Sequence, residues 1–463
     1  MRVSAHGLAR ILGSWQAGPG PRYQRLSDGL RLLILDGRLG LGTTMPGERD
    51  AATALGVSRT TVTSAYQTLV EHAFLETRPR SRATVRLPDL PTPRPGSHPQ
   101  PTVIDLSVAA PAAPVTVIHA GYATALEQLP RHFDRSGYDD LGLPELREAV
   151  ARSYERRGLP TSPEQIMITN GALHAVGLLT RVLLRPRDTV VIDHPSYPHA
   201  IRTFLDAGAR LATVGVTDDG WDVAQLRAAS RSAALAYLIP DHHNPTGMCM
   251  STATRHQLKL SCPMVIDETM ADLTLDGTEP EPFGKCQPAA ISVGSAAKSI
   301  WGGLRIGWLR AEPSLLRKVV QRRPALGLGT PVLEQLAAAV LIDAGPSFRP
   351  DLLDRLRQQR EALLTALADR LPDVHAPRRP GGLSVWTTFP EQISSRLAAI
   401  APDFGLLLAA GPRFGVGGAF QRNLRIPFTL DPQLLTEGVD RLQQARRAIS
   451  EGRRGAHDPA SVA

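Results

Sequence analysis

The sequence predicts a small, mainly α-helical N-terminal domain joined by a proline-rich linker to an α/β body with a mostly parallel sheet and a smaller α+β lobe. Three observations predict it. Residues 1–86 hold 12 arginines against 6 acids, while the remaining residues carry only +2 of the net charge of +8. The stretch PDLPTPRPGSHPQP, 88–101, has six prolines in fourteen residues, and proline fixes φ and lacks a donor, so it reads as a semi-rigid spacer. Beyond it, short apolar runs alternate with helical patterns, as βα units require. A chain of 463 residues is also too long for one core.

In the first domain, Leu26, Leu30, Leu33 and Ile34 have helical spacing. A second helix, ERDAATAL (48–55), breaks at Gly56, and Ser58 is a natural N-cap for a third, RTTVTSAYQTLVEHA. Two helices joined by a short glycine turn form a helix-turn-helix. The second opens with Arg59, Thr60, Thr61 and Thr63, side chains suited to phosphates and base edges. FLETRPRSRATV then reads as two strands around a basic turn, a wing. The basic charge points to an anionic partner, nucleic acid ahead of membrane. Charge alone does not separate that from a solvated basic surface, and a helical dimerisation domain is the other reading of the helices.

In the body the strand candidates are QIMIT (165–169), TVVID (189–193), ALAYLI (234–239), PMVID (263–267), AISVG (290–294) and IGWLR (306–310), with helices such as HAVGLLTRVLL (174–184) between them. From about Pro331 helical patterns dominate, and the tail after Arg447 is polar. The expected divisions are 1–86, a linker 87–102, a body 103–450 and a tail 451–463. Cys249, Cys262 and Cys286 form no CxxC pair and no zinc spacing, which reads as free thiols in a reducing, cytoplasmic setting. The N-terminus lacks an uninterrupted apolar region of the signal-peptide kind, and no run approaches roughly 18 apolar residues, so neither a leader nor a membrane span is expected.

Only four of the 52 basic residues are lysines, and one, Lys298, lies in the glycine-rich run SVGSAAKSIWGGLRIGW, 292–308. A Schiff-base lysine needs a neutral amine with close access, and small neighbours permit a flat cofactor to approach. Ser295 and Arg305 flank it within reach of one phosphate. HHNPTG (242–247) places Asn244 in a turn, VIDET (265–269) ends a strand at Asp267, and TNGALHA (169–175) runs through Gly171 into a helix N-terminus able to hold a phosphate. HPSYPHA (194–200) offers Tyr197 as an aromatic platform, and SGYDDLGLPELREAV (136–150) and RNLRIPF (422–428) complete the set. His242 and His243 suggest a metal, but no carboxylate pattern joins them and no metal is expected. Lys285, in FGKCQP, reads as a surface residue.

Residues 23–85, through MPGER, LGVSRTTV, AYQTL and FLETR, resemble the GntR-type winged helix. That resemblance implies that Arg49, Ser58, Arg59, Thr60, Thr61, Thr63, Arg80 and Arg82 face DNA. The wing departs from the family's Gly-Ser-Gly-Thr turn. The six motifs of the body, in order, resemble the fold type I aminotransferases, which bind pyridoxal 5′-phosphate. By that resemblance Lys298 is the catalytic lysine that carries the cofactor, and Asp267 pairs with its ring nitrogen. Asn244 bonds the phenolic oxygen and Tyr197 stacks on the ring. Gly171, Ala172, Ser295 and Arg305 hold the phosphate, Tyr138 reaches the phosphate of the other subunit of a homodimer, and Arg425 clamps a carboxylate. Thr269 and Met270 stand where the family places a tyrosine, and Asn170 and Leu173 also depart from its phosphate loop. The whole chain resembles the MocR subfamily. The resemblance implies a transcription regulator that binds a double-stranded DNA operator and senses an amine or amino-acid effector by aldimine exchange. The alternative is a working aminotransferase with a regulatory DNA-binding domain.

Overall fold

The computed structural model describes residues 2–13, 15–16, 20–35, 37–77, 81–87 and 103–451. Arg80, all of the expected linker but Leu87, and all of the expected tail but Glu451 lie outside the described residues.

Four helices open the chain: Ala5–Leu12, Arg22–Leu35, Glu48–Leu55 and Arg59–Glu71. The turn between the last two follows its residues. Gly56 takes φ +66°, which favours glycine, and the Ser58 hydroxyl accepts from the Thr61 amide at 3.1 Å, capping the helix that follows. Leu26, Leu30, Leu33 and Ile34 are buried with Val62, Ala65 and Leu69, as the periodicity required. The wing is a short antiparallel pair, Leu75–Glu76 with Thr84–Val85.

The body's main sheet runs in the order Ile166–Thr169, Gly307–Arg310, Ile291–Ser295, Met264–Asp267, Leu235–Leu238, Thr189–His194, Arg210–Thr217, Gly220–Trp221. The pairings from Ile291–Ser295 to Arg210–Thr217 are all parallel, and Gly307–Arg310 runs antiparallel to both its neighbours. The central strands are buried on both faces, which is why they read as unbroken apolar runs. All six expected strands are present. Arg210–Thr217 carries exposed positions and the edge Gly220–Trp221 is only two residues long, so their sequence lacks that signal.

The C-terminal helical patterns join in one helix, Val332–Arg370, which runs through Pro346 and Pro350. It leads into a second sheet ordered Ser384–Thr388, Asn423–Pro427, Leu406–Ala410, Ile104–Leu106. The last of these is the first strand after the proline-rich stretch, and it pairs parallel with Leu406–Ala410. The small lobe thus takes an edge strand from the beginning of the body. The N-terminal helices pack on this lobe through Arg22–Leu35 against Ser394–Ile400. At Gly13 the backbones approach so closely that a Cβ would lie 1.7 Å from the Gly417 carbonyl oxygen.

Candidate active site and DNA-binding face

Parallel strands leave their loops at the carboxyl edge, and a ligand binds in the crevice there. Asp267 ends the strand Met264–Asp267, and Lys298 lies on a π-helical turn, Ala297–Trp301, just beyond Ile291–Ser295. Gly171 follows Ile166–Thr169, Tyr197 follows Thr189–His194, and Asn244 follows Leu235–Leu238. Arg425 comes from the other lobe, on Asn423–Pro427.

Lys298, Asp267, Tyr197, Arg305 and Arg425 converge. Burial, together with the charges of Arg425 and Arg305, lowers the Lys298 amine to about 8, against the opposing pull of Asp267. Burial and Asp267 push the Tyr197 phenol up to about 12. The Lys298 Nζ donates to the Ala109 carbonyl at 2.7 Å. The Arg425 Nη2 donates to the Ser107 carbonyl, its guanidinium lies 5.1 Å from the Phe414 ring centre, and burial lowers it to about 10. Its Nε is buried without a hydrogen-bond partner.

The donor set fits pyridoxal phosphate. Asp267 is buried and accepts from the Tyr237 hydroxyl and the Thr269 amide, and no cation pairs with it among the described residues. A protonated ring nitrogen supplies the charge that such a carboxylate lacks. Gly171, at φ +90°, opens the helix Ala172–Leu183 with no side-chain cap, so the first N–H groups remain open to an anion. A Cβ at Gly171 would stand 3.0 Å from the Arg305 Nη2, which shows how closely that cation approaches the cradle. Arg305 itself holds φ +53° and donates to the Asn170 carbonyl at 3.2 Å.

Two expected cofactor-holding residues, Ser295 and Tyr138, have other surroundings within the chain. The Ser295 hydroxyl donates to the Ile306 carbonyl at 3.1 Å and accepts from the Ala297 amide at 3.1 Å, bracing the lysine turn rather than facing outward. Tyr138 is 71% exposed. The rings of His242 and His243 each bond a threonine, Thr274 and Thr246, at 2.9 Å, and burial lowers them to about 4 and about 3. Sequence reasoning missed three participants. Tyr237, which holds Asp267, is signalled only by a polar tip in an apolar strand. The carbonyls of Ser107 and Ala109 carry no side-chain signal at all.

On the N-terminal domain Arg49, Ser58, Arg59, Thr60 and Arg82 are exposed on the face of the recognition helix and wing. A groove of about 630 Å³ lies between that helix and the wing. Thr61 is half-buried, its amide and hydroxyl both meeting Ser58. Thr63 lines that groove. Its hydroxyl donates to Glu48 Oε2 at 2.8 Å, and the same oxygen takes the Arg59 Nε at 3.2 Å. Glu48 stands in the first turn of its helix, where the dipole favours an acid, and it orients both residues.

Residues 102–442 match the family of aminotransferases of class I and II, and residues 22–85 match the bacterial regulatory proteins of the gntR family. The chain is 28% identical to the HTH-type transcriptional regulator TauR of Rhodobacter capsulatus over 479 residues, covering 93% of this chain and 97% of that one. It is 27% identical to the probable rhizopine catabolism regulatory protein MocR of Rhizobium meliloti over 486 residues, covering 93% of this chain and 94% of that one. Among solved structures, LysN, the alpha-aminoadipate aminotransferase of Thermus thermophilus complexed with N-(5′-phosphopyridoxyl)-L-leucine, is similar with a TM-score of 0.69. It is 28% identical, and the match covers 75% of this chain and 93% of that one.

Proposed function

This chain belongs to the aminotransferase class I and II family, and we propose that it is a cytoplasmic, homodimeric transcription regulator whose aminotransferase domain senses an amino acid or amine. The gntR-type helix-turn-helix ahead of that domain is the DNA-binding part. We place the divisions at 1–86, 87–102, 103–450 and 451–463. The family's cofactor is pyridoxal phosphate. When bound, it supplies an aldehyde that exchanges one primary amine for another and a ring that withdraws electrons.

The chain's own residues do the rest. Asp267 holds the ring nitrogen's proton, with Tyr237 fixing the carboxylate. Asn244 bonds the phenolic oxygen and Tyr197 covers the ring. The N-terminus at Gly171 and Ala172 and the Arg305 guanidinium hold the phosphate. Ser295 joins them only if its hydroxyl leaves Ile306. Arg425 takes the effector's carboxylate, which completes its unpartnered Nε. Tyr138 reaches the partner subunit's site, and its exposure leaves it open to another chain.

One observation carries the sensing. Lys298 and Arg425 both bond the backbone just after the strand Ile104–Leu106, at Ala109 and Ser107. A Lys298 amine displaced by an incoming amine would be free to donate to the Ala109 carbonyl, as it does here. The effector's carboxylate draws Arg425 off the Ser107 carbonyl. Occupancy thereby changes the hold on the first segment after the proline-rich stretch. The effector acts through its different affinity for the two arrangements.

The test is a panel of amines and amino acids added to the cofactor-loaded protein, followed by cofactor absorbance and operator affinity in parallel. A compound that shifts the absorbance should also shift the affinity. Absorbance changes that leave operator binding untouched, with sustained turnover of an amino acid and an oxo acid, would favour the working aminotransferase instead.

A further inference from the structure

We propose that His256, Glu281 and Cys286 form a surface site for a divalent ion of the zinc class, separate from the cofactor cleft. One ligand atom from each lies within 4.8 Å of the other two. Tetrahedral ligation at zinc bond lengths sets ligand atoms about 3.3–3.8 Å apart, so modest side-chain rotations close the set. The combination of imidazole, carboxylate and thiolate suits zinc and disfavours magnesium and calcium, which take oxygen ligands. Water supplies the fourth position.

The three residues share one rigid support. Arg255 is fully buried and ion-paired with Asp241 at 2.6 Å. It precedes His256 directly, and its Nη1 donates to the Glu281 carbonyl at 2.8 Å. The side chain of Gln287, next to Cys286, donates to the Arg255 carbonyl at 2.9 Å. Phe283, at the start of the short helix Phe283–Cys286, lies fully buried 5.9 Å beneath the same guanidinium. The ligands thus project from three segments that cannot drift apart without breaking a buried network.

The two oxygens of Glu281 already have distinct roles. Lys285 Nζ holds Oε1 at 2.7 Å, while Oε2 faces the Cys286 sulfur at 3.8 Å. An ion can therefore take Oε2, the Cys286 Sγ and a His256 ring nitrogen, with Lys285 kept as the outer partner that aims the carboxylate. Binding expels the thiol proton to solvent, so one proton is released per ion. The bound thiolate and carboxylate then balance the ion's two positive charges. The sequence has no zinc spacing because the ligands are gathered by Arg255 and not by a short motif.

The test uses the full-length, cofactor-loaded protein, stripped with a chelator and titrated anaerobically with cobalt(II) as the probe. Tetrahedral cobalt bound to a thiolate gives intense visible bands beyond the cofactor's absorption. We expect these bands to saturate at one equivalent, to bleach when zinc is added, and to persist in Cys249→Ser and Lys298→Ala. Cys286→Ser and His256→Ala should lose them while keeping the unfolding temperature of the metal-free parent. Survival of the bands in both of those variants, or only the weak bands of octahedral cobalt in the parent, overturns the site. Lys298→Ala also separates this outcome from the reading of the cofactor cleft, which stands or falls independently.

Discussion

At Lys298 the main question is protonation. The amine attacks an aldehyde only when neutral, and burial with two nearby guanidinium groups brings it down to about 8. The depressed value enlarges the neutral fraction at any pH below it. The rate at which cofactor-free protein takes up pyridoxal phosphate should therefore rise about tenfold per pH unit below 8 and level above it. Stopped-flow absorbance across that range checks this, and a rise that continues to the ordinary lysine range near 10.4 would show an unperturbed amine. The same residue displays how a role depends on neighbours that no motif contains. Lysine among glycines is visible in the sequence, but Ala109, whose carbonyl receives the amine, is 189 positions away.

At the level of elements, the recognition helix was legible almost residue by residue because its signals are local: the Gly56 turn, the Ser58 cap and the apolar spacing. What escaped was Glu48, which lies on the preceding helix and ties down Arg59 and Thr63. Arg59→Ala should weaken binding to the operator by ~1–3 kcal/mol if the arginine reads a base edge. If it meets only phosphate, the loss should be uniform across sequences and the salt slope should fall by about 0.9. Glu48→Ala should act in the opposite direction and strengthen binding to any duplex, since it removes an acid from the groove beside that helix and frees the arginine. Gel-shift titrations at several salt concentrations measure both, and unchanged affinity in both variants would put the DNA elsewhere. The sheet strands were equally readable where both faces are buried, and unreadable at Arg210–Thr217, where exposed positions interrupt the apolar run.

For the whole molecule the proposed function divides DNA binding and sensing between two domains that touch. Lys298→Ala should retain operator affinity and lose the response to effector, because the lysine belongs to the cofactor cleft and not to the recognition helix, and its truncation removes no core packing. Loss of operator binding by a folded, dimeric variant would make cofactor attachment a requirement for DNA recognition itself. The connection is testable at Gly13, whose φ of +58° and contact with the Gly417 backbone leave no room for a side chain. Gly417 belongs to the segment that reaches the cleft, where the Val416 amide donates to His194 Nε2 at 3.1 Å and the Phe414 carbonyl accepts from the Ser196 amide. Gly13→Ala should leave the cofactor spectrum unchanged and uncouple effector from operator affinity. An unaltered response would show that this contact transmits nothing.

The sequence by itself determined what short-range physics controls. It specified the helix-turn-helix and the apolar parallel strands, and it set Lys298 and Asp267 at or just beyond the ends of those strands. Tertiary structure decided everything that joins distant positions. It paired Ile104–Leu106 with the C-terminal lobe, set Arg425 beside Ser107, turned the Ser295 hydroxyl to Ile306, and gathered His256, Glu281 and Cys286 around one buried arginine. The reason is one of range. Caps, turns and periodicity act over a few residues and leave a pattern, whereas a backbone carbonyl or a lone side chain acquires its partner only when the chain has closed around it.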